Sequence, residues 1–419
     1  MMRNCVRTLC CLLVVGATLP GTTAQANPPV STSLPRSESL DVTPVRDLLH
    51  LTRTILEENP GYEATIASLA TMDRTARQDS LHMLMQRNSI NPRIVNEIEK
   101  LLAAPAYRLY YQQFRAANPA AHRKFFFALP YFATDGPGGV GECLLELCRH
   151  QREIDEWYNE VISQIDIGRC LAVAYEWLPP GEYSVPKTYF IYDGMGDAFV
   201  RNRMVCFDLR GVILSKRHTA SRFENLDGIG TDRIERVLAH EFHHIFAQDI
   251  LFPEGDKDST WQGRWKDDIT RALVSEGLAM QCDPKEGLDK AVRQDSTVIR
   301  YWINEVNEKF AALDAESISD LAMSAWWGNS FHAPAEILRS EFLARQFPGR
   351  NVDTLAQITA KPDLLHTLGW WMVSHISDGG KYRDEVIRLL SNPEALFSRY
   401  NAVIGPGDPR LLIAIDHTR

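Results

Sequence analysis

Several things are missing from this 419-residue sequence, and each absence removes a class of protein. Beyond the first 26 residues, no stretch approaches the roughly 20 uninterrupted apolar residues that a membrane-spanning helix requires. There is no excess of positive charge: 45 Lys+Arg stand against 54 Asp+Glu, a net charge of -9. That is the wrong sign for a partner of phosphate backbones, so nucleic acid is not an expected ligand. No repeat of fixed period and no low-complexity tract is present, and 45% hydrophobic with 24% charged residues is the composition of an ordinary folded chain. None of the cysteines after residue 26 has the C-x-x-C spacing of a structural zinc site.

The N-terminus has the texture of an export signal. Arg3 and Arg7 precede the apolar run Leu9 to Val15, then the breakers Pro20-Gly21, then Ala24-Gln25-Ala26 with the small residues a signal peptidase needs. Residues 1–26 are therefore expected to direct export to the periplasm or the medium, with no stable membrane insertion after cleavage. Cys5, Cys10 and Cys11 leave with them. Five cysteines remain, Cys143, Cys148, Cys170, Cys206 and Cys282, and an odd number excludes a fully paired disulfide framework. In one helix, Cys143 and Cys148 would sit about 8.6 Å apart, beyond the roughly 7 Å reach of a bridge. A bond from either to Cys170 stays open.

The pattern along the mature chain is α+β and predominantly helical. Residues 27–43, rich in Pro, Ser and Thr, read as a linker, and 44–125 as a helical N-terminal region. There Asn91 and Pro92 open a stripe of Ile94, Val95, Ile98, Leu101 and Leu102. A second domain runs over 126–419. Its part at about 170–214 favours strands, at Leu171–Tyr175, Thr188–Tyr192 and Met204–Leu209, with turn signals between them, which predicts a small antiparallel sheet. Helices return at about 231–282 and continue through 283–419.

The chemistry is concentrated in Thr231–Phe246. Asp232 with Glu235 suggests a capping box, and Ile234, Val237, Leu238, Ile245 and Phe246 supply an apolar face, so the segment should be a helix. His240 and His244 lie four apart, one turn along and about 40° from eclipsed, so both imidazoles can reach one cation. Glu241 can sit beside a water on that cation, where a general base is needed. His243, turned away around the axis, reads as a packing or supporting residue. A catalytic zinc site usually has three protein ligands and an open position. Downstream, Asp267–Met280 reads as a capped helix in which Glu276 is an acid among Ala272, Leu273 and Ala279. Burying it alone would cost several kcal/mol, a penalty a divalent cation removes.

Val237-Leu238-Ala239-His240-Glu241-Phe242-His243-His244, followed by Ser275-Glu276-Gly277-Leu278-Ala279, resembles the gluzincins, the thermolysin-like zinc peptidases. More narrowly it is similar to bacterial families of predicted zinc-dependent peptidases with a Glu-Gly-Leu-Ala motif. The specific match covers residues 232 to 280. The resemblance implies a zincin-like catalytic domain over 126–419, zinc held by His240, His244 and Glu276, catalysis by Glu241, and a peptide or protein substrate. It also implies that a strand within 187–209 binds an extended peptide by strand addition.

The departures from the family are as informative. The third histidine of metzincins is absent, since position 250 is Ile. The long insert between His244 and Glu276, with Pro253, Gly255, Trp261, Gly263 and Trp265, is expected to loop over the cleft. Thermolysin-like enzymes carry an aspartate where this chain has Met280, so Asp249 and Asp283 become the candidates for orienting a ligand imidazole. Asp256–Thr260 lacks the residues of a calcium loop. His366, three before Gly369, is the candidate donor to the oxyanion and is assigned a catalytic role, with His375, Tyr301 and Tyr382 as rivals. Gly194-Met195-Gly196 does not match an aminopeptidase signature. Two other functions stay open: a zinc hydrolase of a non-peptide amide or ester, and a non-catalytic helical binding protein whose zinc is structural, with His243 or Asp249 as fourth ligand. The oligomeric state is not legible.

Overall fold

The computed structural model describes residues 39–114, 126–127, 162–191, 198–208, 231–252, 260–283, 297–329 and 364–405. Residues 1–26, expected to direct export, lie outside them, as do Cys143, Cys148, the glycines at 194 and 196 and the acidic residues at 256–258. Among the described residues the chain is predominantly helical with one four-stranded mixed sheet, an α+β composition. No described helix is long and apolar enough to cross a membrane. Two compact units interleave along the sequence. A sheet unit takes Ser31–Ile167 and Val185–Glu235, and a helical unit takes Gly168–Ser184 and Arg236–Arg419.

In the sheet unit, a short strand β1 (Leu40–Asp41) leads into α1 (Thr43–Glu58), α2 (Tyr62–Thr71), α3 (Arg74–Ser89), α4 (Pro92–Ala103) and α5 (Pro105–Phe114). Thus β1 lies at the end of the stretch that reads as a linker, and Leu40 is buried. Local chemistry fixes the helix ends. Gly61 adopts φ +87° between α1 and α2, a left-handed conformation that glycine takes without a Cβ penalty. Asp73 accepts hydrogen bonds from the backbone N–H groups of Thr75 and Ala76 at 2.9 and 3.0 Å. Asn91 does the same for Arg93 and Ile94, with Pro92 at the first position and Ile94, Ile98 and Leu101 buried, as the sequence predicts. Asn59 Nδ2 donates to Asn88 Oδ1 at 3.0 Å and to Ile55 O at 2.8 Å, tying the end of α1 to the end of α3.

The sheet order is β1-β2-β4-β3, with β2 (Lys187–Ile191), β3 (Ala198–Arg201) and β4 (Met204–Asp208). β2 runs parallel to both β1 and β4, and only β3 is antiparallel, to β4. This corrects the expected antiparallel sheet. Only the β3–β4 pair is an antiparallel hairpin. Its turn uses Asn202 and Arg203 at φ 49° and 58°, the two left-handed residues of a tight hairpin whose twist matches its strands. Among the described residues β2 and β4 have strand neighbours on both sides, and the outer edge of β3 is the strand edge left within 187–209.

In the helical unit, α6 (Ile167–Tyr175) occupies the segment expected to be the first strand. Ile167, Cys170, Leu171 and Ala174 are buried, a spacing of three and four that belongs to a helix, and Ala172 and Ala174 are strong helix formers. Then come α7 (Thr231–Leu251), α8 (Trp261–Cys282), α9 (Thr297–Asp314) and α10 (Asp320–Asn329). A π-helical turn (Leu364–Gly369) continues into α11 (Trp370–Ser377), followed by α12 (Arg383–Ile387), a 3₁₀ turn and α13 (Ala395–Ile404). α8 starts earlier than its sequence pattern predicts: Thr260 caps it by accepting from Gly263 N at 3.1 Å, so Trp261, Gly263 and Trp265 are helical rather than part of a loop. The expected capping box on α7 is also not made. Asp232 lies inside the first turn, and Glu235 Oε1 instead accepts from Asp166 N at 2.8 Å.

α8 and the π-turn cross at close range. A Cβ on Gly277 would lie 2.5 Å from the carbonyl oxygen of Gly369, and one on Gly369 would lie 2.6 Å from that of Leu273. Two glycines at one crossing let backbones approach to a distance that side chains forbid. Behind them, Trp371 Nε1 donates to the Tyr400 hydroxyl at 3.1 Å and joins α11 to α13. Cys170, Cys206 and Cys282 are buried thiols, and burial pushes the Cys282 thiol pKa well up.

Candidate metal centre

α7 is apolar on nearly every side. Ile234, Leu238, Ala239, Phe242, Ile245, Phe246 and Ala247 are all buried, so the polar residues among them are buried too: His240 is 7% exposed, Glu241 8% and His243 0%. Buried polar groups need partners. The close crossing of Gly277 and Gly369 supplies them by bringing α8 and the π-turn together, with Glu276 immediately before one glycine and His366 three residues before the other.

The result is a knot of three imidazoles and a carboxylate. Glu276 Oε2 lies 3.5 Å from His240 Nε2, 3.3 Å from His244 Nε2 and 3.3 Å from His366 Nε2. His240 Nε2 and His244 Nε2 are 3.0 Å apart. One ligand atom each from His240, Glu276 and His366 falls within 4.8 Å of the other two. Four of the expected site residues thus converge on one point, and Glu241 is buried on the same helix as two of them.

The donor set fits a cation. Glu276 Oε2 is buried and accepts no hydrogen bond of proper geometry despite three ring nitrogens around it. Nitrogen and oxygen atoms at 3.0–3.5 Å from one another match the edges of a tetrahedron whose centre-to-ligand distance is about 2.0–2.1 Å, edges of about 3.3 Å. Electrostatics agree for His240 and Glu276, while His244 is drawn toward its protonated form by the carboxylates. Burial drives the His240 pKa down to about 4 against the pull of Glu276, so its imidazole is neutral with a lone pair available at neutral pH. For His244, burial is opposed by Glu276, and with Glu241 the carboxylate raises the pKa. Glu276 is held well below the usual carboxylate range: burial opposes ionisation, but His244 and His366 outweigh it.

The remaining expectations resolve one by one. His243 faces away from the knot: its Nε2 lies 3.1 Å from the Trp177 carbonyl, and burial pushes its pKa down to about 3. It packs against Trp177 and is not one of the three rings set around Glu276 Oε2. Of the oxyanion candidates, His366 is the one brought against Glu276. His375 Nδ1 donates to Trp371 O at 2.9 Å, Tyr301 packs on Trp302, and Tyr382 is exposed beneath Lys381. The proposed imidazole partners do not serve: Asp283 faces Arg236 at 3.7 Å and Asp249 is exposed. The contact found instead is Ser275, its Oγ 3.0 Å from His244 Nδ1. Sequence reasoning missed it because a serine before the acid has no rule attached, although it stands in the motif already quoted.

The family model described as “Putative zinc dependent peptidase (DUF5700)” matches residues 98–324, a span that includes His240, Glu241, His244, Ser275 and Glu276 but not His366. No curated protein and no solved structure matches the chain. Zinc is the cofactor, in keeping with the three-residue metal group of His240, Glu276 and His366. With more than half of its 419 residues inside that match, the chain belongs to this zinc-dependent peptidase family.

Proposed function

We propose that the chain is an exported zinc metallopeptidase of gluzincin type with a zincin-like catalytic domain, in which His240, His244 and Glu276 hold zinc and Glu241 is the general base. The observation that carries this reading is Glu276 Oε2, buried without a hydrogen bond and 3.3–3.5 Å from the ring nitrogens of both motif histidines. Bound zinc supplies Lewis acidity, making water a stronger acid and a carbonyl a better electrophile. Glu241, beside His240 in a water-poor helix face, takes the proton of the attacking water and returns it to the leaving amine. His366 donates from Nε2 to the oxygen that gains charge. Its side chain is 24% exposed against 6% for Glu276, which suits a group that must meet substrate. Residues 1–26 direct the chain to the periplasm or the medium.

The test is zinc stoichiometry combined with Glu241→Gln. One zinc per chain is expected in both proteins, with peptide hydrolysis reduced by about 10²–10⁴ in the variant. Undiminished hydrolysis removes Glu241 from the mechanism, and turnover confined to small amides or esters replaces the peptidase reading with a non-peptide hydrolase. A second reading, a structural zinc, draws support from His366, whose Nε2 is 3.3 Å from Glu276 Oε2 and can close a four-ligand set. His366→Ala separates the two. A donor to substrate loses kcat while zinc affinity is kept, and a ligand loses the zinc.

A further inference from the structure

A histidine can hold a cation only if its proton is on the other nitrogen, and the two nitrogens of His244 meet different surroundings. Nε2 looks into the knot, 3.0 Å from His240 Nε2 and 3.3 Å from Glu276 Oε2. Nδ1 looks out of it, 3.0 Å from Ser275 Oγ. We propose that Ser275 is a positioning residue for zinc: its hydroxyl accepts the Nδ1–H of His244, fixing ring and tautomer so that Nε2 keeps the lone pair. This rests on the zinc-site reading above and deepens it.

The alternative arrangement is poorer. If the Ser275 hydroxyl donated to Nδ1, the ring proton would sit on Nε2, between His240 and Glu276, and would occupy the place of the cation. A serine also does this without adding charge, in a knot that already buries Glu241 and Glu276. Ser275 and Glu276 are consecutive on α8, so one helix carries both an acid of the knot and the support of a histidine on α7. The two contacts register α8 against α7 at a single point. His243 shows the contrast, since its orientation is set by the backbone carbonyl of Trp177 and its ring stays outside the knot.

The test uses the full chain as wild type, Ser275→Ala and Ser275→Thr. In competition with a chelator, Ser275→Ala should bind zinc ten- to a hundredfold more weakly, the usual cost of losing a partner of a ligand imidazole, and Ser275→Thr, which keeps the oxygen, should stay close to wild type. In zinc-loaded wild type, ¹H–¹⁵N spectra of the imidazoles should show a proton on His244 Nδ1. Unchanged zinc affinity in Ser275→Ala, or an unprotonated Nδ1, overturns the proposal. The spectrum decides alone if the alanine variant does not fold. A wild type that binds zinc but cleaves no peptide refutes the peptidase reading and leaves the affinity ratio standing. An active peptidase with equal affinities refutes only the role of Ser275.

Discussion

Helices α4 and α7 both carry charged and polar side chains among apolar ones, yet they use them in opposite ways. On α4 the apolar residues Ile94, Ile98 and Leu101 form a single inward stripe, and the charges face water: Arg93 meets Glu57 and Glu58, and Lys100 meets Asp47, with both cations more than half exposed. On α7 the apolar residues surround the helix, and His240, Glu241 and His243 are buried with them. Exposed ion pairs contribute little, because water screens them and long side chains must be held still. Buried polar groups are expensive unless satisfied, so a helix that keeps several is under a demand other than folding. A family described as zinc dependent identifies that demand.

Three substitutions test this contrast, in falling order of effect. Glu276→Gln removes the anion at the centre of the buried knot, and zinc affinity should fall by more than the roughly hundredfold typical of a supporting residue. Chelator competition reads it, and a smaller loss would mean the buried acid is not central. Gly277→Ala places a Cβ 2.5 Å from the Gly369 carbonyl oxygen, and the forced separation should destabilise by about 1–3 kcal/mol. Urea unfolding should show a lower midpoint, and zinc affinity should fall as well because His366 and Glu276 ride on the two backbones being parted. Arg93→Ala on α4 should leave the unfolding midpoint indistinguishable from wild type at moderate salt; a clear loss there would erase the distinction between the two helices.

What was readable from sequence follows the range of the interaction. The Asn91 cap and the stripe it opens are local, and so is the four-residue spacing that puts His240 and His244 on one side of α7; both stand in the structure. Residue preference was misleading at Leu171–Tyr175, where a short apolar run fits strand or helix and burial at three- and four-residue intervals decided for α6. The mixed sheet escaped notice because β3, which the sequence pattern does not mark, returns between β2 and β4 and makes that pair parallel, and because β1 has only two residues about 150 positions before its partner. The convergence of His366 on Glu276 depends on a crossing of Gly277 and Gly369 that no single window contains. Ser275 required knowing which way the His244 ring turns, which is a property of packing.

One consequence of the wide turn at Leu364–Gly369 concerns length instead of composition. Because Gly369 is pinned against α8, removing a residue between His366 and Gly369 would leave α11 in place and carry His366 around the axis of the turn. The imidazole of His366 would then swing off the carboxylate with every amino acid at the cluster unchanged. A one-codon deletion here should therefore be as damaging as losing the histidine itself, while conservative exchanges among the leucines of the same turn should be tolerated.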